Sequence, residues 1–435
     1  MNIKVAPLIL AALFSIAAHA QVATPNLVGS WQGTLAAGKG LRVVLQVAKA
    51  DAGGGQATLY SIDQSPEGIP VTSITLQGSM LTFAITAISG AYEGTVSADG
   101  NSIQGTWTQF KNPLPLTFQR ATKETAWPTD SSPHTVQFVT VDDNVKLEVL
   151  DWGGSGRPLV LLAGLGNAAH VFDKFAPKLT ATCHVYGITR RGFGASSAPV
   201  PANGNYSADR LGDDVLAVLD ALKLNHPVLA GHSIAGEELS SIATRHPEKV
   251  AGLIYLDAGY GYAFYDRSHG DLTADSIELR KKLEQLAQGM VPDQTALIQE
   301  LLQTALPRLQ TDLQEKLKDL QATPKALLAV RAAAPVSPIA QAIMAGTQKY
   351  TNIRVPVLAI FAVPHDLGPV LGKDPAARAL HEARETVTVG AQADAFEKGV
   401  PSARVVRLPH ASHYVFLSNE ADVLREMNAF LASLP

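Results

Sequence analysis

The stretch that most limits how this chain can fold is Val228-Leu229-Ala230-Gly231-His232-Ser233-Ile234-Ala235-Gly236-Glu237-Glu238-Leu239. An apolar run that reads as a buried strand meets a serine among small residues, and a helical pattern follows. Gly231 and Ala235 leave room for a sharp strand-to-helix turn, a nucleophile elbow, which lifts one hydroxyl above the strand. The next backbone N–H, that of Ile234, then opens a helix, where unpaired donors favour a developing negative charge. The second glycine of the Gly-x-Ser-x-Gly pattern is displaced by one residue: Ala235 holds its place and Gly236 follows.

The surroundings of this turn alternate between strand and helix. Residues 136–141 and 145–150 read as a hairpin, and 159–162, 185–188, 228–230, 250–256, 355–361 and 404–408 as apolar strands. Residues 206–222, 237–245 and 420–431 carry helical periodicity. Such alternation predicts a mostly parallel sheet covered on both faces, an α/β class. Residues 272–349 interrupt it with Leu, Ala, Gln and Lys at helical spacing, punctuated by prolines; four or five short helices inserted as a cap are expected there. The cap region as a whole spans about 262–350.

Residues 21–122 have a different texture. Short alternating runs are separated by glycine turns, and 94–107 reads as a hairpin across Asp99-Gly100. A small antiparallel barrel or sandwich is expected, with Trp31 and Trp107 either core aromatics or a surface on which a ligand stacks. Residues 123–135 read as a linker, and 136–435 as the α/β domain. At the N-terminus, Lys4, an apolar run over 5–18 and Ala18-His19-Ala20 predict a signal peptide over 1–20, cleaved near Ala20, and hence an exported, periplasmic or secreted protein with no stable membrane anchor. Cys183 is the single cysteine, so no intramolecular disulfide can form and the core must hold the fold. A formal charge of −4 with no basic block speaks against nucleic-acid binding. No phosphate loop, metal-ligand spacing or cofactor signature is present, so no cofactor is expected.

A serine hydroxyl needs a base, an acid that orients the base, and an oxyanion site. His413 and His410 both follow the last strand. Asp257 ends one strand, in Leu253-Ile254-Tyr255-Leu256-Asp257, and Asp366 follows the next, in Val363-Pro364-His365-Asp366. The elbow, the alternating strands and the succession Ser, Asp, His resemble the α/β-hydrolase superfamily from residue 136 onward, with local matches at Leu161–Gly166, Thr189–Gly194 and Ala411–Tyr414. The resemblance implies Ser233, Asp366 and His413 as the triad, with Asp257 as alternative acid and His410 as alternative base. It also implies Leu165, after Ala163-Gly164, as the second oxyanion donor beside Ile234. Glu237 and Glu238 either complement the dipole of the elbow helix or reach the pocket, and His232 shapes the pocket or packs beneath the elbow. The implied chemistry is hydrolysis of a small-molecule ester or acyl substrate. An amidase, peptidase or carbon–carbon hydrolase would use the same residues, and a ligand-binding protein on the same scaffold would use none of them. Oligomeric state is not legible in the sequence.

Overall fold

The computed structural model describes residues 25–35, 41–48, 56–62, 68–109, 112–129, 134–289, 291–323, 337–366 and 375–435. The expected signal peptide and its cleavage point lie outside these. The chain divides into two compact units between Asp130 and Ser131.

The first unit is one antiparallel sheet of nine described strands between Gly29 and Arg120, the N-terminal seven-residue strand Gly29–Leu35 lying inside the sheet between its second and last strands. Expected as a barrel or sandwich, it is a half-barrel: a single curled sheet with one face turned onto its own core. Gly90–Val96 alternates between buried and exposed at every position, the period-two pattern of a sheet wet on one side. Trp31, Phe83, Tyr92, Trp107 and Phe118 fill the inner face, and both tryptophans are core residues.

In the second unit, an eight-stranded sheet runs β1 (Thr135–Asp142), β2 (Val145–Gly154), β3 (Arg157–Leu162), β4 (Cys183–Ile188), β5 (Val228–His232), β6 (Gly252–Leu256), β7 (Val357–Ala362) and β8 (Ala403–Leu408), in spatial order β1-β2-β4-β3-β5-β6-β7-β8. β1–β2 and β2–β4 are antiparallel, and all later pairs parallel. The central strands β5, β6 and β7 are buried at every residue, as strands covered on both faces must be. One apolar layer packs α1 (Ala208–Ala221) and α2 (Ala235–Arg245) on one face, and another packs the C-terminal helix Glu420–Ser433 on the other.

The cap contains helices Leu272–Ala287, Gln294–Glu300, Leu306–Ala322 and Pro338–Ala345 among the described residues, with a π-helical turn at Leu301–Ala305. Asp271, Asp293 and Ser337 cap three of them by accepting from the N–H groups of Ala274, Ala296 and Ala340. The 25-residue helix Pro375–Gly399 between β7 and β8 was not anticipated. Among the described residues, no helix is long and apolar enough to cross a membrane.

Candidate active site

Five strand ends meet at one edge of the sheet, the carboxyl end, where crossover connections leave a crevice. Gly164 and Leu165 follow β3, Ser233 follows β5, Asp257 follows β6, His365 follows β7 and His413 follows β8. Ser233 has φ +55°, the left-handed strain of an elbow, and its N–H donates to Leu256 O at 3.2 Å. The displaced glycine has a clear reason: a Cβ on Gly236 would lie 2.1 Å from Ala258 O, so α2 presses directly on the loop that carries Asp257.

Ser233 Oγ lies 2.8 Å from His413 Nε2, and His413 Nδ1 lies 2.6 Å from Asp257 Oδ2. Asp257 must accept at Nδ1, so the neutral ring carries its proton there and offers its Nε2 lone pair to the serine. The Asp257 carboxylate is fully buried and receives four hydrogen bonds. Oδ1 accepts from Tyr260 OH at 2.7 Å and Ala362 N–H at 2.9 Å; Oδ2 accepts from His413 and, at 2.7 Å, from His365 Nε2. Burial alone would raise this carboxyl, but the donations from His365 and His413 outweigh it and hold the group well below the usual carboxylate range.

This geometry corrects the expected acid. Asp366 is turned outward with its side chain 48% exposed, beside Arg378 Nη1. Its N–H donates to Ala411 O, which leaves the preceding residue, His365, facing the sheet edge. The strand-end loop expected to supply a carboxylate therefore supplies an imidazole, and the carboxylate comes from the neighbouring strand. His410 is exposed, with its N–H on Pro364 O, while His413 alone of the pair reaches Ser233.

Leu165 packs against the apolar cluster that contains Ile234, the residue after the serine. A Cβ on Gly164 would lie 3.1 Å from Ser233 Cβ and 2.8 Å from His232 Nδ1, so the β3 loop touches the elbow and only glycine fits there. Arg190 holds this loop by donating Nη2 to Ala163 O at 3.0 Å while pairing with buried Glu238. His232 is buried beneath the elbow and donates Nε2–H to His413 O at 2.9 Å. Burial and the neighbouring His413 push its imidazole down to about 4, so it is neutral and anchors the backbone of the His413 loop. Glu237 is buried too. Burial and adjacent Glu238 push its carboxyl up to about 8, so at neutral pH it does not serve the helix dipole as an anion; its Oε2 accepts from Thr347 Oγ1 at 3.2 Å.

Sequence reasoning missed His365 and Glu385. Glu385 sits on the unanticipated helix and accepts from the His365 N–H at 2.8 Å, with His365 Nδ1 3.0 Å from the same oxygen. The signal for His365 was its position beside Asp366; nothing in the local pattern says which of two adjacent side chains turns inward. Asp257, His365 and His413 cluster closely enough to hold a cation, as do His134, His170 and Asp173. Both nitrogens of His365, and both of His170, face carboxylate oxygens, so these rings act as double donors and offer a cation no lone pair. Beside the serine, Tyr206, Leu211, Ile234 and Ile343 form an apolar cluster with Leu165 and Phe193 packed against it.

The alpha/beta hydrolase fold family model matches residues 157–420. The chain is similar to the fluoroacetate dehalogenase of a Burkholderia species, 33% identical over 116 residues, which are 26% of this chain and 38% of that one. It is also similar to the dihydrolipoyllysine-residue acetyltransferase component of the acetoin cleaving system of Pseudomonas putida, 28% identical over 280 residues and 64% of each chain. The crystal structure of a hydrolase from Pseudomonas aeruginosa PA01 aligns over 69% of this chain and 99% of its own at 22% identity, with a TM-score of 0.43. The chain spans less than two thirds of the length of these curated relatives.

Proposed function

The chain belongs to the α/β-hydrolase fold family, and on that premise we propose that it is a serine hydrolase cleaving a small carboxylic ester or related acyl substrate. The observation that carries this reading is the unbroken path from Ser233 Oγ through His413 to Asp257, at 2.8 and 2.6 Å. His413 Nε2 takes the hydroxyl proton as Oγ attacks the carbonyl carbon. The N–H groups of Ile234 and Leu165 meet the oxyanion, and each such donor contributes on the order of 3 kcal/mol. Collapse of the tetrahedral intermediate expels the alcohol, which His413 protonates, and leaves an acyl-enzyme. Water, deprotonated by His413, then releases the acid and restores the hydroxyl. Asp257 stays ionised throughout and holds the tautomer.

A hydroxyl at the elbow favours acyl transfer over displacement at a saturated carbon. A serine attacking a saturated carbon would form an ether, which water does not cleave, whereas an acyl ester turns over. The cluster around Ile234 suits an apolar acyl or alcohol group. Ile343 comes from cap helix Pro338–Ala345, so the cap takes part in setting specificity.

The test is turnover of short p-nitrophenyl esters by the chain from Gln21. Ser233→Ala should lower kcat by on the order of 10^4-fold or more; undiminished turnover in that variant would sink the mechanism. We propose further that residues 1–20 direct export. Mass spectrometry of the periplasmic or secreted fraction should find a chain starting at Gln21, and a full-length chain held inside the cell would overturn this.

A further inference from the structure

We propose that His365 is a positioning residue of the reaction, an imidazolium that fixes Asp257 and limits how strongly that carboxylate holds a proton on His413. The inference rests on the serine-hydrolase reading, since it concerns the base of that mechanism.

Donor counting carries it. His365 Nε2 lies 2.7 Å from Asp257 Oδ2, and its Nδ1 lies 3.0 Å from Glu385 Oε2. A neutral imidazole has one donor and one acceptor nitrogen, while an ionised carboxylate only accepts. With a carboxylate at each end, the ring satisfies both contacts only by carrying both protons. Its neighbours from every packed element agree with this. Asp257 comes from the β6 end, with Tyr260 OH 3.4 Å from Nε2. Helix Pro375–Gly399 brings Glu385, with His381 Nε2 a further 3.4 Å from Glu385 Oε1. The β8 loop brings His413, whose ring centroid is 6.0 Å away, and His232 at the β5 end is neutral. Burial would lower the His365 imidazole, but Asp257 and Glu385 push it up to about 10.

The consequence is a fixed cation sharing one carboxylate oxygen with the catalytic base. It competes with His413 for Oδ2 and offsets part of the charge on Asp257. A base facing Asp257 alone would hold its proton more tightly, since nothing would offset the charge of the carboxylate. His365 keeps Asp257 in place while restraining that effect, and Glu385 keeps His365 charged.

His365→Gln separates charge from position, because the Gln amide can still donate to Asp257; His365→Ala removes both. In His365→Gln the acid limb of the kcat/KM profile should move up by about one pH unit, with the alkaline plateau largely kept. In His365→Ala the same shift should come with a lower plateau. A purely structural residue would lower the melting temperature and the plateau without moving the limb, and that result would overturn the proposal.

A second arm does not depend on turnover. In the full chain with 15N-labelled histidine and Ser233→Ala, both His365 ring nitrogens should be protonated at pH 8. Glu385→Gln should move the His365 titration down. A neutral His365 at pH 7, or an acid limb unmoved in His365→Gln, defeats the proposal. Turnover surviving Ser233→Ala would instead defeat the serine mechanism, with these titrations still readable.

Discussion

His170 lies between two carboxylates, with Nδ1 3.0 Å from Asp173 and Nε2 3.4 Å from Glu148, much as His365 lies between Asp257 and Glu385. In each cluster a further histidine shares the aspartate: His134 at 2.8 Å from Asp173 and His413 at 2.6 Å from Asp257. Both central rings are pushed up to about 10 against the effect of burial. The clusters part at the outer histidine. The His134 side chain is 3% exposed, and Trp152 donates to the same oxygen, tying the start of β1 to the 3-10 turn Ala169–Phe172. The His413 side chain is 43% exposed, and its far nitrogen faces a serine. One local electrostatic design thus builds a clamp where the second ring is enclosed and, in the proposed mechanism, a proton-transfer path where that ring meets a hydroxyl.

Replacing the two aspartates tests that contrast most sharply. Asp257→Asn should cost on the order of 10^4-fold in kcat by presenting the wrong tautomer to Ser233. Asp173→Asn should leave kcat within a few-fold and instead destabilise the fold by about 3 kcal/mol, because the charged His170 ring loses a buried partner. Chemical denaturation and ester assays on both variants check this, and an inactive but stable Asp173→Asn would break the comparison.

The shared feature predicts a smaller effect. A histidine whose folded value is raised adds stability that is fully present below its unfolded value, near 6.5, and is lost as pH rises through about 10. The melting temperature should therefore fall between pH 7 and pH 10, and His170→Gln should flatten that fall without moving the acid limb of activity. His365→Gln should flatten the fall and move the limb. The smallest effect belongs to Asp366→Asn, which should change stability by less than about 0.5 kcal/mol and leave turnover unchanged. A large loss of activity there would restore Asp366 as the acid.

Much of the fold was legible from residues alone. Strand runs such as 228–230 and 250–256 are apolar throughout because both sheet faces are covered, and Ser233 stands out because small neighbours at a strand end have few other uses. Helix Pro375–Gly399 was not legible. Only His381, Ala393 and Phe396 are buried along it, so it shows no continuous apolar stripe. Glu385 was lost with it, and with Glu385 the reason for His365 to turn inward.

What the sequence determined by itself is the succession of strands and helices along the chain, the elbow, and Ser233, Asp257 and His413 as candidates at strand ends, because period and residue chemistry are local properties. Tertiary structure alone decided which of those residues touch. Ser233, Asp257, His365 and His413 converge from four strand ends, and Glu385 joins them from a helix. The choice between Asp257 and Asp366 turned on the N–H of Asp366 bonding Ala411 O and on Glu385 waiting for His365. Those partners lie 45 and 20 positions along the chain, and no local pattern carries a contact that only the packed sheet creates.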